Sequence, residues 1–337
     1  MAEKKQEFFR SNNFVNLVGE VEKLVVHTGS SQSGNYIRGE LNIVTGEGER
    51  HYTRFFTMEF QGDDKTKPRE LYANIMKLSE TGVTLEDKAK IEQGERPTVV
   101  AVNASWQPNV YKNRNGEVVE SVQLNTWKLS FPTSSDVEFN TEFEVSGAVA
   151  SEALPEVDRN GNETDRRTIE LLLVDYRGVG FKVPFVVPEY GADWADELEI
   201  GDTIAVQGTV LSKYLVKDIE TDNPNGFGKM VNTVRDIRKE NLMTGSNLIK
   251  NIDDANDEEE EDESPTGFMT TRTLQEAIKK YENWKEEQLA RTDASKKKSN
   301  SGFSGKKQKS GNSDSPFASR NGAPTATNDF DSESLPF

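Results

Sequence analysis

Apolar and polar residues alternate along three successive runs in the first 60 positions. The runs cover residues 14–26, 35–45 and 50–60, and turn-forming residues rich in Gly separate them. A period of two residues indicates half-buried strands. The pattern therefore predicts three strands, and Gly19 lies inside the first of them, where a barrel strand bends sharply.

A helix and two more strands complete the first segment. Residues 69–80 have apolar positions at helical spacing behind Pro68, whereas residues 97–106 and 121–131 return to strand patterns. An Asn-Gly dipeptide between the last two strands favours a two-residue hairpin turn. Three strands, a helix and two strands form the element order of a five-stranded Greek-key OB barrel.

The next segment repeats this order of elements. Gly147 lies inside its first strand as Gly19 does in the first segment, so we expect an internal duplication. The predicted fold class is all-β: tandem five-stranded OB-fold barrels in residues 1–138 and 139–250. A disordered acidic tail with one helix follows in residues 251–337.

The tail changes character along its length. Residues 253–265 are an acidic run that repels itself and stays extended, and the end of the tail is rich in Ser, Gly, Lys and Asn, which is typical of disorder. Between them, residues 271–292 have helical spacing, with Thr273 and Glu276 placed as a capping box. This helix either binds a partner or packs on a barrel. Its apolar face consists of Leu274, Ala277, Ile278, Tyr281 and Trp284.

Charge is distributed unevenly along the chain. Of the net charge of −17, residues 1–138 contribute −3, residues 139–250 contribute −8 and the tail contributes −6. Because nucleic-acid binders usually carry a basic footprint, a basic groove fits most easily in the first barrel. The sequence has no apolar run long enough to span a membrane and no apolar signal core, so we expect a cytoplasmic protein.

Catalytic and metal-binding motifs are missing from the sequence. It has no cysteine, and its two histidines, His27 and His51, are too few for a metal cluster. Neither a phosphate-binding loop nor a GxSxG elbow occurs. We therefore expect a protein without enzymatic activity, cofactor or metal. The catalytic alternative is a nuclease that holds Mg²⁺ through scattered carboxylates.

The C-terminal end carries the most specific pattern in the chain. Two apolar side chains flank a proline that restricts the backbone, and the neighbouring carboxylates suit a basic rim. Capture of a terminal carboxylate is a known mode of peptide recognition. The predicted protein-interaction tip, residues 328–337, presents Asp329, Asp331, Glu333, Leu335, Pro336 and Phe337.

With this tip behind a low-complexity linker and OB-like segments, the chain resembles the bacterial-type single-stranded DNA-binding protein family. The resemblance implies an OB fold that coats single-stranded DNA during replication, recombination and repair. It also implies that the tip recruits replication proteins such as a polymerase, helicase, primase or recombinase. The family's tip has a denser run of Asp, whereas Ser332 and Ser334 interrupt the acidic residues of this tip. Two barrels and a long linker helix are more similar to the proteins of large bacteriophages, which implies the cytoplasm of a bacterium or an infected host.

A surface for single strands needs aromatic side chains that stack on bases and cations that neutralise phosphates. Tyr36 and Arg38 alternate away from the apolar side of the second strand, and Phe55 alternates away from Phe56. The loop 106–114 interleaves aromatic and basic residues, as a clamp would. The predicted DNA-binding residues are Tyr36, Arg38, Arg54, Phe55, Trp106, Tyr111, Lys112, Arg114, Trp127 and Lys128. At each aromatic position the alternative is an ordinary core residue.

The second barrel has candidate contacts but an unfavourable charge. Its candidates are Arg166, Arg167, Tyr176, Arg177, Phe181 and Lys182. An acidic surface opposes phosphate binding, so we expect the first barrel to bind DNA more tightly. The second barrel then extends the site or serves as a dimer or partner surface. The alternative function for the whole chain is an OB-fold protein-interaction scaffold that does not bind DNA.

Overall fold

The computed structural model describes residues 9–62, 65–133, 137–157, 161–222, 229–261 and 267–300. Over these residues the strands form an 11-stranded sheet. The strands are β1 (Asn13–Ser31), β2 (Gly34–Gly46), β3 (Glu49–Met58), β4 (Val99–Lys112), β5 (Val118–Ser130), β6 (Asn140–Val149), β7 (Leu154–Val157), β8 (Glu163–Val174), β9 (Gly180–Val187), β10 (Thr203–Asp222) and β11 (Lys229–Lys250).

Helices connect or follow the strands. They are α1 (Glu70–Thr81), α2 (Lys88–Glu92), α3 (Ala192–Asp196), α4 (Ile252–Glu261) and α5 (Thr271–Asn300), with a 3-10 helix at Glu189–Gly191. The expectation that the acidic run stays extended was wrong over α4, because Asn251 caps the first turn and Lys250 and Arg272 pair with carboxylates of the helix. None of the helices in the described ranges combines the length and the apolar character needed to cross a membrane.

Strands β1 to β5 close into the first barrel. β1 pairs antiparallel with both β2 and β4, β2 pairs with β3, and β3 pairs in parallel with β5. Because β5 and β4 are also neighbours, the circuit β1-β2-β3-β5-β4 is complete. This is the predicted five-stranded Greek-key order. The helix between β3 and β4 buries Leu71, Ile75 and Leu78, as its spacing predicted.

The second barrel repeats the same circuit with β6, β8, β9, β11 and β10, again with a parallel pair, β9 and β11. Gly19 and Gly147 occupy equivalent corners. A Cβ atom on Gly19 would collide with the carbonyl oxygen of Val44, and one on Gly147 would collide with that of Leu172. At each corner, two strands lie so close together that the glycine position has no room for a side chain. The tandem OB-fold class predicted from the sequence is confirmed.

Aromatic rings join the interiors of the two barrels. The Trp106 ring of β4 lies 5.4 Å from Phe143 and 5.7 Å from Phe185, both in edge-on geometry. Such pairs contribute about 0.5–1.5 kcal/mol beyond the area that they bury. β1 and β6 also pair antiparallel, so the two barrels share one hydrophobic core and one sheet.

The segment after the second barrel packs against it. Met269 and Ala277 are buried together with Leu172 of β8 and with Phe9 from the N-terminal segment. The Met269 amide donates a hydrogen bond to Thr203 Oγ1 at 2.9 Å. The sequence left open whether the predicted helix binds a partner or packs on a barrel. The beginning of α5 packs on the second barrel.

The start of α5 differs from the prediction. The Thr273 amide donates to Thr270 Oγ1 at 3.2 Å, and the Thr270 amide donates to Thr273 Oγ1 at 2.8 Å. These reciprocal bonds form a capping box three residues upstream of the one predicted from Thr273 and Glu276, which was wrong. Thr270 takes the role because its hydroxyl accepts the amide of Thr273, the third residue of the helix, while the first helical amide, that of Thr271, donates to Asn256 Oδ1 at 2.9 Å.

The described residues separate into two compact units. The first contains both barrels and the start of α5, in Met1–Asn109 and Val122–Glu282. The second contains the tip of the β4–β5 hairpin, Val110–Ser121, and the chain from Asn283. In the second unit, Lys285 Nζ lies 2.7 Å from Glu120 Oε1. The domain boundaries given above stay a prediction.

Candidate nucleic-acid interface

Aromatic and basic side chains meet on the outer face of β2 and β3. Tyr36 and Arg38 lie on this face, as the alternation predicted, and Arg38 is directly opposite Phe56. The rings of Tyr36 and Phe56 are 5.6 Å apart, and Phe56 is 58% exposed. A large apolar ring therefore faces solvent beside a guanidinium group.

The exposed aromatic surface continues onto β5 and β1. Phe55 pairs with Thr126 in the parallel β3–β5 register, so the next residues, Phe56 and Trp127, are neighbours on the outer face. Trp127 is 50% exposed, and its ring lies 6.1 Å from that of Phe14 on β1. We call Tyr36, Phe56, Trp127 and Phe14 the aromatic row.

Two cations accompany the aromatic row without a counter-ion. Among the described residues, neither Arg38 nor Lys128 has a carboxylate within 4.0 Å. Arg38 is exposed and Lys128 is half-buried next to Trp127. Both side chains are therefore available to neutralise a phosphate.

Arg54 is held more tightly in a polar network on the same face. Its Nε donates to the Tyr52 hydroxyl at 3.0 Å, and its Nη1 donates to Gln123 Oε1 at 2.9 Å. Glu40 lies 3.7 Å from the guanidinium. Burial of the ring and a hydrogen bond to Glu40 raise the pKa of Tyr52 to about 12, so this hydroxyl stays protonated. The network fixes Arg54 beside the aromatic row.

Two predicted stacking residues are in the core instead. Phe55 is 2% exposed inside the first barrel, and Trp106 is 5% exposed against Phe143 and Phe185. A base can stack only on a ring whose face reaches solvent, so neither residue is a candidate for stacking. For both positions, the alternative of an ordinary core residue holds.

Sequence reasoning missed Phe56 and Phe14. On β3 the inward positions are mostly polar, because Thr53 and Thr57 alternate inward with Phe55. The Thr53 hydroxyl donates to the Leu41 carbonyl at 3.3 Å, and the Thr126 hydroxyl donates to Thr53 at 2.9 Å, which satisfies these buried groups. The alternation separated Phe55 from Phe56 but did not indicate which face was buried.

The tip of the β4–β5 hairpin carries three predicted residues in the second compact unit. Tyr111 and Lys112 are half-buried and Arg114 is exposed. The turn is closed by Asn113, whose Oδ1 accepts the Glu117 amide at 2.9 Å, and Gly116 has a positive φ of 83°. The predicted hairpin is confirmed, but the two-residue Asn-Gly turn was wrong: the Gly116 amide donates to the Asn113 carbonyl at 3.0 Å, so Arg114 and Asn115 are the central residues of the turn. DNA binding by this tip stays a prediction.

The candidate cations of the second barrel are all paired with carboxylates. Arg166 lies 2.7 Å from Glu240 and 3.1 Å from Glu156. The other pairs are Arg167 with Asp196, Arg177 with Asp175, and Lys182 with Glu170. Of the two aromatic candidates, Phe181 is buried and Tyr176 is 66% exposed. Little positive charge is left for a phosphate at these positions.

The equal strand circuits allow each position of the first barrel to be matched with one in the second. With the corners Gly19 and Gly147 as anchors, the registers place Arg166 where the first barrel has Arg38. The positions of Tyr36, Phe56, Trp127 and Phe14 correspond to Thr164, Pro188, Thr244 and Glu142. The aromatic row therefore has no aromatic counterpart in the second barrel.

The predicted interaction tip lies outside the described residues. It comprises Asp329, Asp331, Glu333, Leu335, Pro336 and Phe337. Its role stays a prediction.

Comparisons with known proteins give one family and several distant structures. The family model described as YorF matches residues 11–295. The single-stranded DNA binding protein from Thermus aquaticus has 14% identity and a TM-score of 0.43, over 71% of this chain and 93% of that chain. The mitochondrial single-stranded DNA binding protein Rim1 of S. cerevisiae has 12% identity and a TM-score of 0.23, over 37% and 95%. No curated protein matches significantly.

Proposed function

The chain belongs to the YorF family, and we propose from its own surface that it binds single-stranded DNA without sequence preference. The aromatic row supports this most directly. Phe56 and Trp127 are 58% and 50% exposed beside the guanidinium of Arg38, which has no counter-ion within the described ranges. A contiguous patch of exposed rings marks an interaction site, and bases stack on such rings whatever their sequence.

Binding combines stacking with neutralisation of phosphates. Each base that stacks on Phe56 or Trp127 contributes about 1–3 kcal/mol. Arg38 and Lys128 pair with the phosphates between stacked bases and release counterions, so affinity falls as salt rises. Since the rings lie on neighbouring strands, the DNA crosses the strands of the first barrel.

The protein acts by covering DNA and not by chemistry. We propose that it has no enzymatic activity, that the first barrel binds DNA more tightly than the second, and that the covered strands are protected during replication, recombination and repair. The ion pairs of Arg166 and of its neighbours support the weaker role of the second barrel.

The C-terminal tip is the part of the proposal that concerns protein partners. Leu335, Pro336 and Phe337 follow acidic residues in the sequence, a pattern that suits a pocket with a basic rim. We propose that it recruits a polymerase, helicase, primase or recombinase in the cytoplasm of a bacterium or of a bacteriophage-infected cell.

The experiment that tests DNA binding is a titration of a fluorescently labelled oligo(dT) with the full chain, followed by anisotropy at low and moderate salt. We expect saturable binding that weakens with salt and is much weaker for duplex DNA of the same length. Absence of binding at low salt would contradict the proposal and favour a protein-interaction scaffold.

A further inference from the structure

A groove with unusual chemistry lies on the outer face of the second barrel. Strands β6, β10 and β11 line it, and its volume is about 420 Å³. The polar side chains along it belong to Asn12, Glu144, Ser146, Gln207, Ser246 and Asn247. We call it the amide groove, because the described residues that line it include neither Lys nor Arg, and its exposed polar side chains are mainly carboxamides.

The carboxamides of the groove are not used by the fold. Among the described residues, the side chains of Asn12, Gln207 and Asn247 have no hydrogen-bond partner, and all three residues are exposed. A Cβ atom on Gly245 would lie 2.9 Å from Gln207 Nε2, so the glycine keeps the floor beneath this amide open. Each carboxamide presents two donors and an acceptor oxygen side by side.

The groove begins where the aromatic row ends. Phe14, at the end of the row on β1, pairs in register with Glu144 on β6, which lines the groove. The backbone of Asn12 is fixed to β6, because its amide donates to Ser146 Oγ at 2.8 Å and its carbonyl accepts the Ser146 amide at 2.9 Å. One continuous sheet therefore carries the stacking surface and the groove.

We propose that the amide groove binds the base edges of the same single strand as it leaves the aromatic row. This inference rests on the proposed DNA binding of the first barrel and adds a second subsite of different chemistry. Base edges present donors and acceptors, and a carboxamide offers both, so Asn and Gln pair with any base and this subsite adds affinity without selecting a sequence. The Glu144 carboxylate accepts from an amino group where the base has one. The same carboxylate repels a phosphate, so the backbone of the strand stays outside the groove.

The test compares a short and a long oligonucleotide of mixed sequence. One OB barrel covers about 4–16 nucleotides, so oligonucleotides of about 10 and about 30 nucleotides separate one barrel from two. The full chain is compared with its Gln207→Ala/Asn247→Ala variant by anisotropy titration. Gln93→Ala, an exposed glutamine at the end of α2, is the matched control.

The expected result is selective. Since two hydrogen-bonding side chains are lost, the double variant binds the long oligonucleotide about 10-fold more weakly. It binds the short one like the wild type, and the slope of affinity against salt is unchanged. Abasic residues in one half of the long oligonucleotide remove the difference between variant and wild type.

Three results would overturn the inference. If the variant binds both oligonucleotides like the wild type, the groove is not a subsite, although the aromatic row still binds. If the salt slope falls, the groove contacts phosphates and not bases. If neither oligonucleotide binds the wild type, the proposed function fails together with the inference.

Discussion

The two barrels have the same strand circuit and use their outer faces in opposite ways. In the first barrel, β2 alternates between buried and solvent-facing residues, and its outer face presents rings and the exposed cation of Arg38. In the second barrel, residues 171–174 of β8 are buried on both faces of the strand, because Phe9, Met269 and Ala277 cover its outer face. One duplicated fold thus leaves one surface open for a ligand and covers part of the other with its own chain.

The equivalent arginines show the same difference in charge. Arg38 has no counter-ion among the described residues, whereas its counterpart Arg166 lies between Glu156 of the added strand β7 and Glu240 of β11. The Glu240 side chain is only 5% exposed, so its pair with Arg166 is shielded from solvent. The two arginines occupy equivalent positions in the two barrels. The neighbouring carboxylates decide whether the guanidinium is available to bind a phosphate.

The largest difference in DNA affinity between the two barrels is expected when rings of the aromatic row are removed. Phe56→Ala/Trp127→Ala should weaken binding of oligo(dT) by about 100-fold or more, since each stacked base contributes about 1–3 kcal/mol. Tyr176→Ala/Tyr190→Ala, which removes two rings that are 66% and 78% exposed in the second barrel, is the control and should leave affinity unchanged. Equal losses in both variants would mean that the row has no special role.

The covered face of the second barrel should respond in stability and not in binding. Met269→Ala opens a cavity under α5, where the side chain is 1% exposed, and should lower the free energy of unfolding by about 2–5 kcal/mol. Denaturant titration measures this loss, and DNA affinity should stay unchanged. Ile278→Ala on the same helix is 47% exposed and should cost little. A similar cost for both would show that the helix does not cover the barrel.

The interiors differ at His51, whose counterpart in the second barrel is Val183. Burial lowers the pKa of His51 to about 4, so the folded protein keeps it neutral while the unfolded chain protonates it near its ordinary value of 6.5. Acidification therefore favours unfolding, and this residue removes about 2 kcal/mol of stability between pH 7 and pH 5. The free energy of unfolding keeps its full value above the pKa of His51 in the unfolded chain and falls as the pH drops below that value.

The check is His51→Val, which brings the residue of the second barrel into the first. Urea titrations at pH 7 and pH 5 should show a smaller loss of stability in the variant than in the wild type. His27→Gln, a change at an exposed position of β1, is the control. If His51→Val loses as much stability between pH 7 and pH 5 as the wild type, the buried His51 is not the cause of that loss.

The smallest expected effect concerns the paired and unpaired arginines. Arg38→Ala should reduce the slope of log affinity against log salt by about 0.7, because one phosphate contact is lost. Arg166→Ala should leave the slope unchanged, since its guanidinium is already neutralised by two carboxylates. Equal changes in slope for the two variants would show that the ion pairs of Arg166 open to bind phosphate.

Alternation and turn signals predicted most of the fold, and the site only in part. The order of strands, the first helix and the position of the β4–β5 hairpin follow from local patterns, which depend on nearby residues. The burial of Phe55 depends on which face of β3 closes the barrel, and both faces contain apolar and polar residues. The neighbourhood of Phe56 and Trp127 depends on a parallel pairing between distant strands, which a single sequence does not indicate.

The most direct test of the central claim follows the emission of Trp127 alone. In a chain carrying Trp106→Phe, Trp194→Phe and Trp284→Phe, oligo(dT) should quench this emission in step with the anisotropy of the labelled DNA, and added salt should reverse both. Binding of DNA with no change in Trp127 emission would contradict the claim that single strands stack on the outer face of the first barrel.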